Sequence, residues 1–176
     1  MSYFSVPARW QIPTDAVRHS FTEMARDGIR GCEGIAMWLG RHEGDAAIIT
    51  HVVRLRGPGI QKAPDRLLIS ADLVNDLTDV AIENKLTLIG QIHSHSAFCG
   101  TDLSEVDRCC GIAVPGYLSA VAPDFALRAG TTIEECGMHV FIPGQRWQRL
   151  SPQDVRQRIS VVDGVLVPIL VAGPDE

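Results

Sequence analysis

The feature that most constrains this chain is an apolar strand signal over residues 86–93 that runs directly into His93-Ser94-His95. Alternate residues of a strand point to one side, so the two imidazoles face the same way at the strand end. Asp107 follows twelve residues after the second histidine. Two imidazoles and one carboxylate form a three-ligand set of N/O type that leaves one position open. That is the pattern of a catalytic zinc, and it differs from the closed four-ligand structural sites. The fold must therefore bring a strand end and a second element to one point.

The second element can be read from Ser104-Glu105-Val106-Asp107. S-x-x-D before a helix is a capping box, in which serine and aspartate satisfy each other's backbone N–H groups. The cap fixes Asp107 in the first turn of a helix, so the ligand is held without a flexible arm. Glu33 lies far away in sequence, in Gly31-Cys32-Glu33-Gly34, just before an apolar strand over residues 35–39. A carboxylate at a strand start beside a metal can act as a general base.

The remaining elements give a mixed α/β order. Thr14 is expected to cap a helix with Ala16, Val17, Phe21 and Met24 on one face, closed by Asp27-Gly28. Residues 41–45 form a polar hairpin connection to a return strand over 46–55. Residues 56–66, with two prolines and two glycines, read as an exposed loop. A short strand over 67–69 precedes a helix capped by Ser70 and carrying Leu73, Leu77, Val80 and Ala81. Strands follow over 117–122 and 137–142, and Ser151-Pro152 starts a short helix. Asp163-Gly164 then predicts a hairpin between Val161-Val162 and residues 165–171, with Pro168 at a sheet edge. The chain reads as one domain over 1–176, with a motif-bearing core over about 14–145 and a C-terminal helix and hairpin over 151–171.

Composition excludes several partners. A net charge of -5 and scattered arginines provide no basic face for nucleic acid. No apolar stretch approaches the roughly 18 residues that span a bilayer, and the first ten residues lack the layout of a signal peptide. Five cysteines, Cys32, Cys99, Cys109, Cys110 and Cys136, without a CxxC pair, are expected to be reduced thiols in the cytoplasm.

Glu33, His93-Ser94-His95 and Ser104-x-x-Asp107 together resemble the JAMM motif of the JAB/MPN metalloproteases: a distant glutamate, then H-[ST]-H, then S-x-x-D. Residues 88–92, Leu-Ile-Gly-Gln-Ile, look like the family's strand before the histidines, and Gly40 falls seven residues past Glu33, as is usual there. The sequence departs from the pattern in three places. Eight residues separate His95 from Ser104 where seven are common, Ser96 replaces a frequent proline, and Ala36 replaces a frequent glycine.

The resemblance implies an MPN/JAB, cytidine-deaminase-like fold with a central curved mixed sheet flanked by helices. It implies a Zn2+ ion on His93, His95 and Asp107, with catalytic roles for Glu33 as proton carrier and for Ser104 as oxyanion donor. The activity implied is that of a stand-alone bacterial isopeptidase, similar to a deubiquitinase, which cuts after the C-terminal tail of a ubiquitin-like modifier. A peptidase acting on a sulfur-carrier or phage-tail protein shares that chemistry, and a non-catalytic MPN scaffold is the alternative from another class. Loops 56–66 and 96–103 are candidates to frame the substrate groove. Phe98 is a candidate substrate contact, with tucking under its own loop as the favoured reading. Asp102 is a competing metal ligand without the S-x-x-D frame, and Cys99 is close enough in sequence to approach the metal.

Overall fold

The structure, a computed structural model, describes residues 6–144 and 146–174. The chain order is β1 (Arg9–Pro13), α1 (Thr14–Gly28), β2 (Ile35–Glu43), β3 (Ala46–Leu55), β4 (Ile60–Ala63), β5 (Arg66–Ile69), α2 (Ala71–Glu83) and β6 (Thr87–Ser94). It continues with α3 (Glu105–Cys110), β7 (Leu118–Ala122), β8 (Gly137–Ile142), β9 (Arg146–Arg149), α4 (Pro152–Arg158), β10 (Ile159–Val162) and β11 (Ile169–Ala172). A large mixed sheet runs β10-β1-β3-β2-β6-β7-β8-β9, and β11 also pairs with β3. The β2–β3, β2–β6, β7–β8 and β8–β9 pairs are antiparallel, and β6–β7 is parallel.

β2 is the middle of this arrangement, and its alternation sets the two faces. Ala36 and Trp38 pack with Trp10, Ile12, Met24 and Ile49 on the side covered by α1. Ile35, Met37 and Leu39 pack with Leu73 and Leu77 of α2 on the other. Register shifts at Trp38/Leu39 and Leu39/Gly40 interrupt both ladders of β2. Such bulges bend a strand and increase its twist, which curls the sheet. Gly40 is required there, because a Cβ would sit 1.8 Å from the Ile48 carbonyl oxygen.

Several expectations are corrected. Thr14 is the first residue of α1, not its cap; Pro13 precedes the helix, and the Thr14 hydroxyl donates to Asp163. The 56–66 segment is not a plain loop. Ile60–Ala63 forms β4 and pairs antiparallel with β5 as a separate two-stranded sheet. Asp163-Gly164 does not turn a hairpin. β10 pairs parallel with β1 and β11 parallel with β3, so the C-terminal strands extend the main sheet. The reason lies at the start of α1, where Thr14 holds Asp163 and Asp15 accepts from the Val167 backbone N–H at 2.8 Å. These contacts carry the connection around the helix end. β1 and β9 are further strands, at Arg9–Pro13 and Arg146–Arg149, that the sequence patterns above do not include. Pro168 lies just before β11, with its carbonyl accepting from Val52 N–H.

Candidate metal centre

The site forms where β6 leaves the sheet. Ile92 points into the α1-side core, so His93 and His95 point to the opposite side. Both imidazoles are buried. Their Nε2 atoms lie 3.2 Å apart. Ser104 caps α3 as the motif requires: its hydroxyl accepts from Asp107 N–H at 3.1 Å, and its own N–H donates to Asp107 Oδ2 at 2.7 Å. The capping box therefore aims the Asp107 carboxylate at the histidines. Oδ2 lies 3.2 Å from His95 Nε2, and Oδ1 lies 3.4 Å from His93 Nε2. One ligand atom from each of the three residues falls within 4.8 Å of the others.

Glu33 comes to this point through strand pairing. Ile35 lies opposite His93 in the antiparallel β2–β6 ladder, so two residues back, on the same face, the chain passes opposite His95. Ser94 secures that approach. Its backbone N–H donates to Gly34 O at 2.9 Å, and its hydroxyl accepts from Gly34 N–H at 3.0 Å. Gly34 must be glycine, because a Cβ would stand 2.6 Å from the Met24 backbone. The β4–β5 sheet adds another tie: Glu33 N–H donates to Ala63 O at 2.9 Å, and Lys62 pairs with the buried Asp27 at 2.6 Å.

Electrostatics separate the two carboxylates. Burial pushes the Glu33 carboxyl up to about 7; the His95 charge opposes that rise, and the Asp107 and Asp65 carboxylates add to it. Burial also acts to raise Asp107, but hydrogen bonds from His93, His95 and Ser104 outweigh it and hold this carboxyl far below the usual range. Burial alone would lower His95; its contacts with Asp107, the Glu33 charge and Gly100 O turn the net change upward. The site thus holds one fixed anion and one carboxyl poised near neutrality, the division expected of a ligand and a proton carrier.

No protein-family model matches this chain, and no curated protein matches it. Among solved structures, the solution structure of the protein DSY2949 from Desulfitobacterium hafniense is similar, with a TM-score of 0.59 over 89% of this chain and 94% of that one, at 17% identity. That likeness is one of fold, a mixed α/β sheet flanked by helices.

The other sequence candidates fall outside the ligand cluster. Asp102 is not a ligand: its Oδ1 lies 2.9 Å from Nε2 of the fully buried His139 and 3.0 Å from Arg108. It anchors the loop between His95 and Ser104 to β8. Cys99 is exposed, and its sulfur accepts from the Ser96 hydroxyl. Phe98 does not tuck under its loop; it is 98% exposed. The structure adds residues that the sequence reading passed over. A cleft beside the cluster is lined by Ile35, Leu67, Ile69, Val74 and Cys110 as well as His93 and Asp107. Gln91, Tyr117 and Ser119 connect behind His93. Gln91 stands two residues before His93 on the same strand face, and that spacing was the available signal.

Proposed function

We propose that this chain is a zinc-dependent isopeptidase of JAB/MPN type, with the corresponding cytidine-deaminase-like fold, acting after the C-terminal tail of a ubiquitin-like modifier. The observation that carries the reading is the convergence of His93 Nε2, His95 Nε2 and Asp107 within 4.8 Å, with a buried Glu33 held at about 7 on the same face.

The donor set fits zinc. His95 Nδ1 lies 3.2 Å from Gly100 O, which only accepts, so Nδ1 keeps its proton and Nε2, facing Asp107, is the nitrogen that would give up its proton to hold a metal. Asp107 stays ionised through the physiological range. His93, His95 and Asp107 would hold the ion, and when bound it supplies Lewis acidity that acidifies water and polarises a carbonyl. Glu33 would take a proton from the attacking water and return it to the leaving amine, a transfer suited to a carboxyl near neutral pH. The Ser104 hydroxyl accepts from Asp107 N–H and also lies against the Asp107 carboxylate; turned away from that carboxylate, its O–H would donate toward the oxyanion that develops on the substrate.

The cleft suits an extended tail. Leu67 and Ile69 of β5 form part of its wall, and β5 has a strand partner on one edge only among the described residues. A free edge accepts an added strand by backbone hydrogen bonds, while the walls restrict side-chain size. Five free cysteines accord with a reducing compartment such as the cytoplasm, and no helix among the described residues is long and apolar enough to cross a membrane.

The test is to incubate the protein with a ubiquitin-like protein fused through its C-terminus to a reporter, with and without a chelator. Chelator-sensitive release of the reporter at the fusion junction is expected. Intact fusion with the zinc-loaded protein, across a panel of such modifiers, would remove this reading.

A further inference from the structure

A metal-binding imidazole uses one ring nitrogen, and whatever holds the other decides which nitrogen keeps its lone pair. His95 is settled by the Gly100 carbonyl. His93 is held differently. Its Nδ1 lies 3.5 Å from Nε2 of the Gln91 side chain. Gln91 in turn accepts from the Tyr117 hydroxyl through Oε1 at 3.0 Å, and its Nε2 lies 3.5 Å from Ser119 Oγ. Tyr117 is 3% exposed and Ser119 1%, so this group of contacts is closed to solvent on its inner side. Gln91 and Ser119 are paired neighbours on β6 and β7.

In this orientation the amide donates to His93 Nδ1. The ring proton then sits on Nε2, facing His95 and Asp107, which is the tautomer that blocks a metal. A half-turn of the amide exchanges its oxygen and nitrogen. Gln91 Oε1 then accepts from His93 Nδ1–H and from Ser119, and Nε2 donates to Tyr117. The network survives the exchange because both outer partners are hydroxyls, which donate or accept as required. The ring loses a proton at Nε2 and gains one at Nδ1, so its charge does not change.

We propose that Gln91 is a positioning residue for the metal centre: a reversible amide, anchored by Tyr117, that sets the tautomer of His93. The proposal rests on the reading of His93 as a zinc ligand. It predicts that zinc binding and the Gln91 orientation are coupled, with Ser119 as the second hydroxyl that makes the turn permissible.

The experiment measures zinc affinity by competition with a chromophoric chelator, using zinc alone as the probe, on full-length variants whose folding is checked by circular dichroism. Gln91→Leu should weaken zinc binding by about 10- to 100-fold, the usual effect of removing an outer partner of a ligating histidine. Gln91→Glu accepts from both His93 Nδ1–H and the Tyr117 hydroxyl, and should restore wild-type affinity or exceed it. Tyr117→Phe should weaken binding by less than Gln91→Leu. Long-range nitrogen NMR should place the His93 proton on Nε2 without zinc and on Nδ1 with it. Wild-type affinity in Gln91→Leu, or equal losses in Gln91→Leu and Gln91→Glu, would overturn the role given to Gln91. If His93→Ala keeps full zinc affinity, it is the metal assignment that fails.

Discussion

Replacing Glu33 by glutamine should stabilise the zinc-free protein, and by an amount that depends on pH. Glu33 is 4% exposed, and its carboxyl sits at about 7 in the fold against an ordinary value of 4.5. Between those values the folded chain holds a proton that the unfolded chain has released. Stability therefore falls as pH rises through this window and stays lower above it. At about 1.4 kcal/mol for each tenfold change in acidity, the full cost above the window is about 3 kcal/mol. The attraction to His95 is already included in that figure, and relaxation of the site brings the observable value to about 1–3 kcal/mol. Glutamine keeps the size of the side chain and carries no such cost. At about 2–4 °C per kcal/mol for a chain of this length, Glu33→Gln should raise Tm at pH 8 by about 2–12 °C. At pH 5 most of the gain should be absent. Calorimetric scans of both proteins in chelator, at the two pH values, give the difference directly. Adding zinc should shrink the gain, because a nearby cation lowers the cost of an ionised Glu33. A gain of equal size at both pH values, or none at pH 8, would refute the argument that burial destabilises the ionised form of Glu33.

Other outcomes follow from the same geometry. Metal analysis should find close to one zinc per chain, lost in His95→Ala and in Asp107→Ala; a stoichiometric metal that survives both changes would place the site elsewhere. Glu33→Gln should keep the zinc but cut turnover of a modifier fusion by about 100-fold or more, so near-normal turnover would remove Glu33 from proton transfer. Ser104→Ala should lose about 1 kcal/mol through the lost cap, seen in urea unfolding, and turnover by about 100-fold through the lost donor; a stability loss without a rate loss would confine Ser104 to capping. Replacing the last glycine of the modifier tail by leucine should slow cleavage strongly against the walls formed by Leu67 and Ile69, and equal rates for glycine, alanine and leucine would show a groove without selectivity.

Much of the site was legible in the sequence because its chemistry is local. His93 and His95 share a face by strand alternation, and the Ser104–Asp107 box depends on contacts within one turn of α3. Those two units are set by backbone period and capping, which operate over two to four residues. The helix faces of α1 and α2 were readable for the same reason, down to Leu73 and Leu77 in the core. The hairpin expected at Asp163-Gly164 failed because a strong turn dipeptide was outcompeted by distant partners: Asp163 and Val167 are both held by the first turn of α1. β4 was hidden because Gly57, Pro58, Gly59 and Pro64 flank its four residues and read as loop, and only the pairing with β5 makes it a strand.

Tertiary structure alone decided what surrounds the candidate donor set. No local pattern says that Ser94 holds Gly34, that Asp102 is engaged by the buried His139, or that Gln91 and Tyr117 stand behind His93. The partners in the first three of these cases lie 60, 37 and 2 positions apart, and Tyr117 lies 26 from Gln91. Even the short separation is uninformative until the neighbouring strand supplies the hydroxyls. The raised acidity constant of Glu33 is the clearest case. In the chain it is an ordinary glutamate, and only its burial by the packed sheet, beside the charges of His95, Asp107 and Asp65, turns it into a group poised near neutral pH. The candidate donor set was thus encoded in short-range periodicity, whereas its tuning required the desolvation and long-range contacts that exist only in the folded molecule.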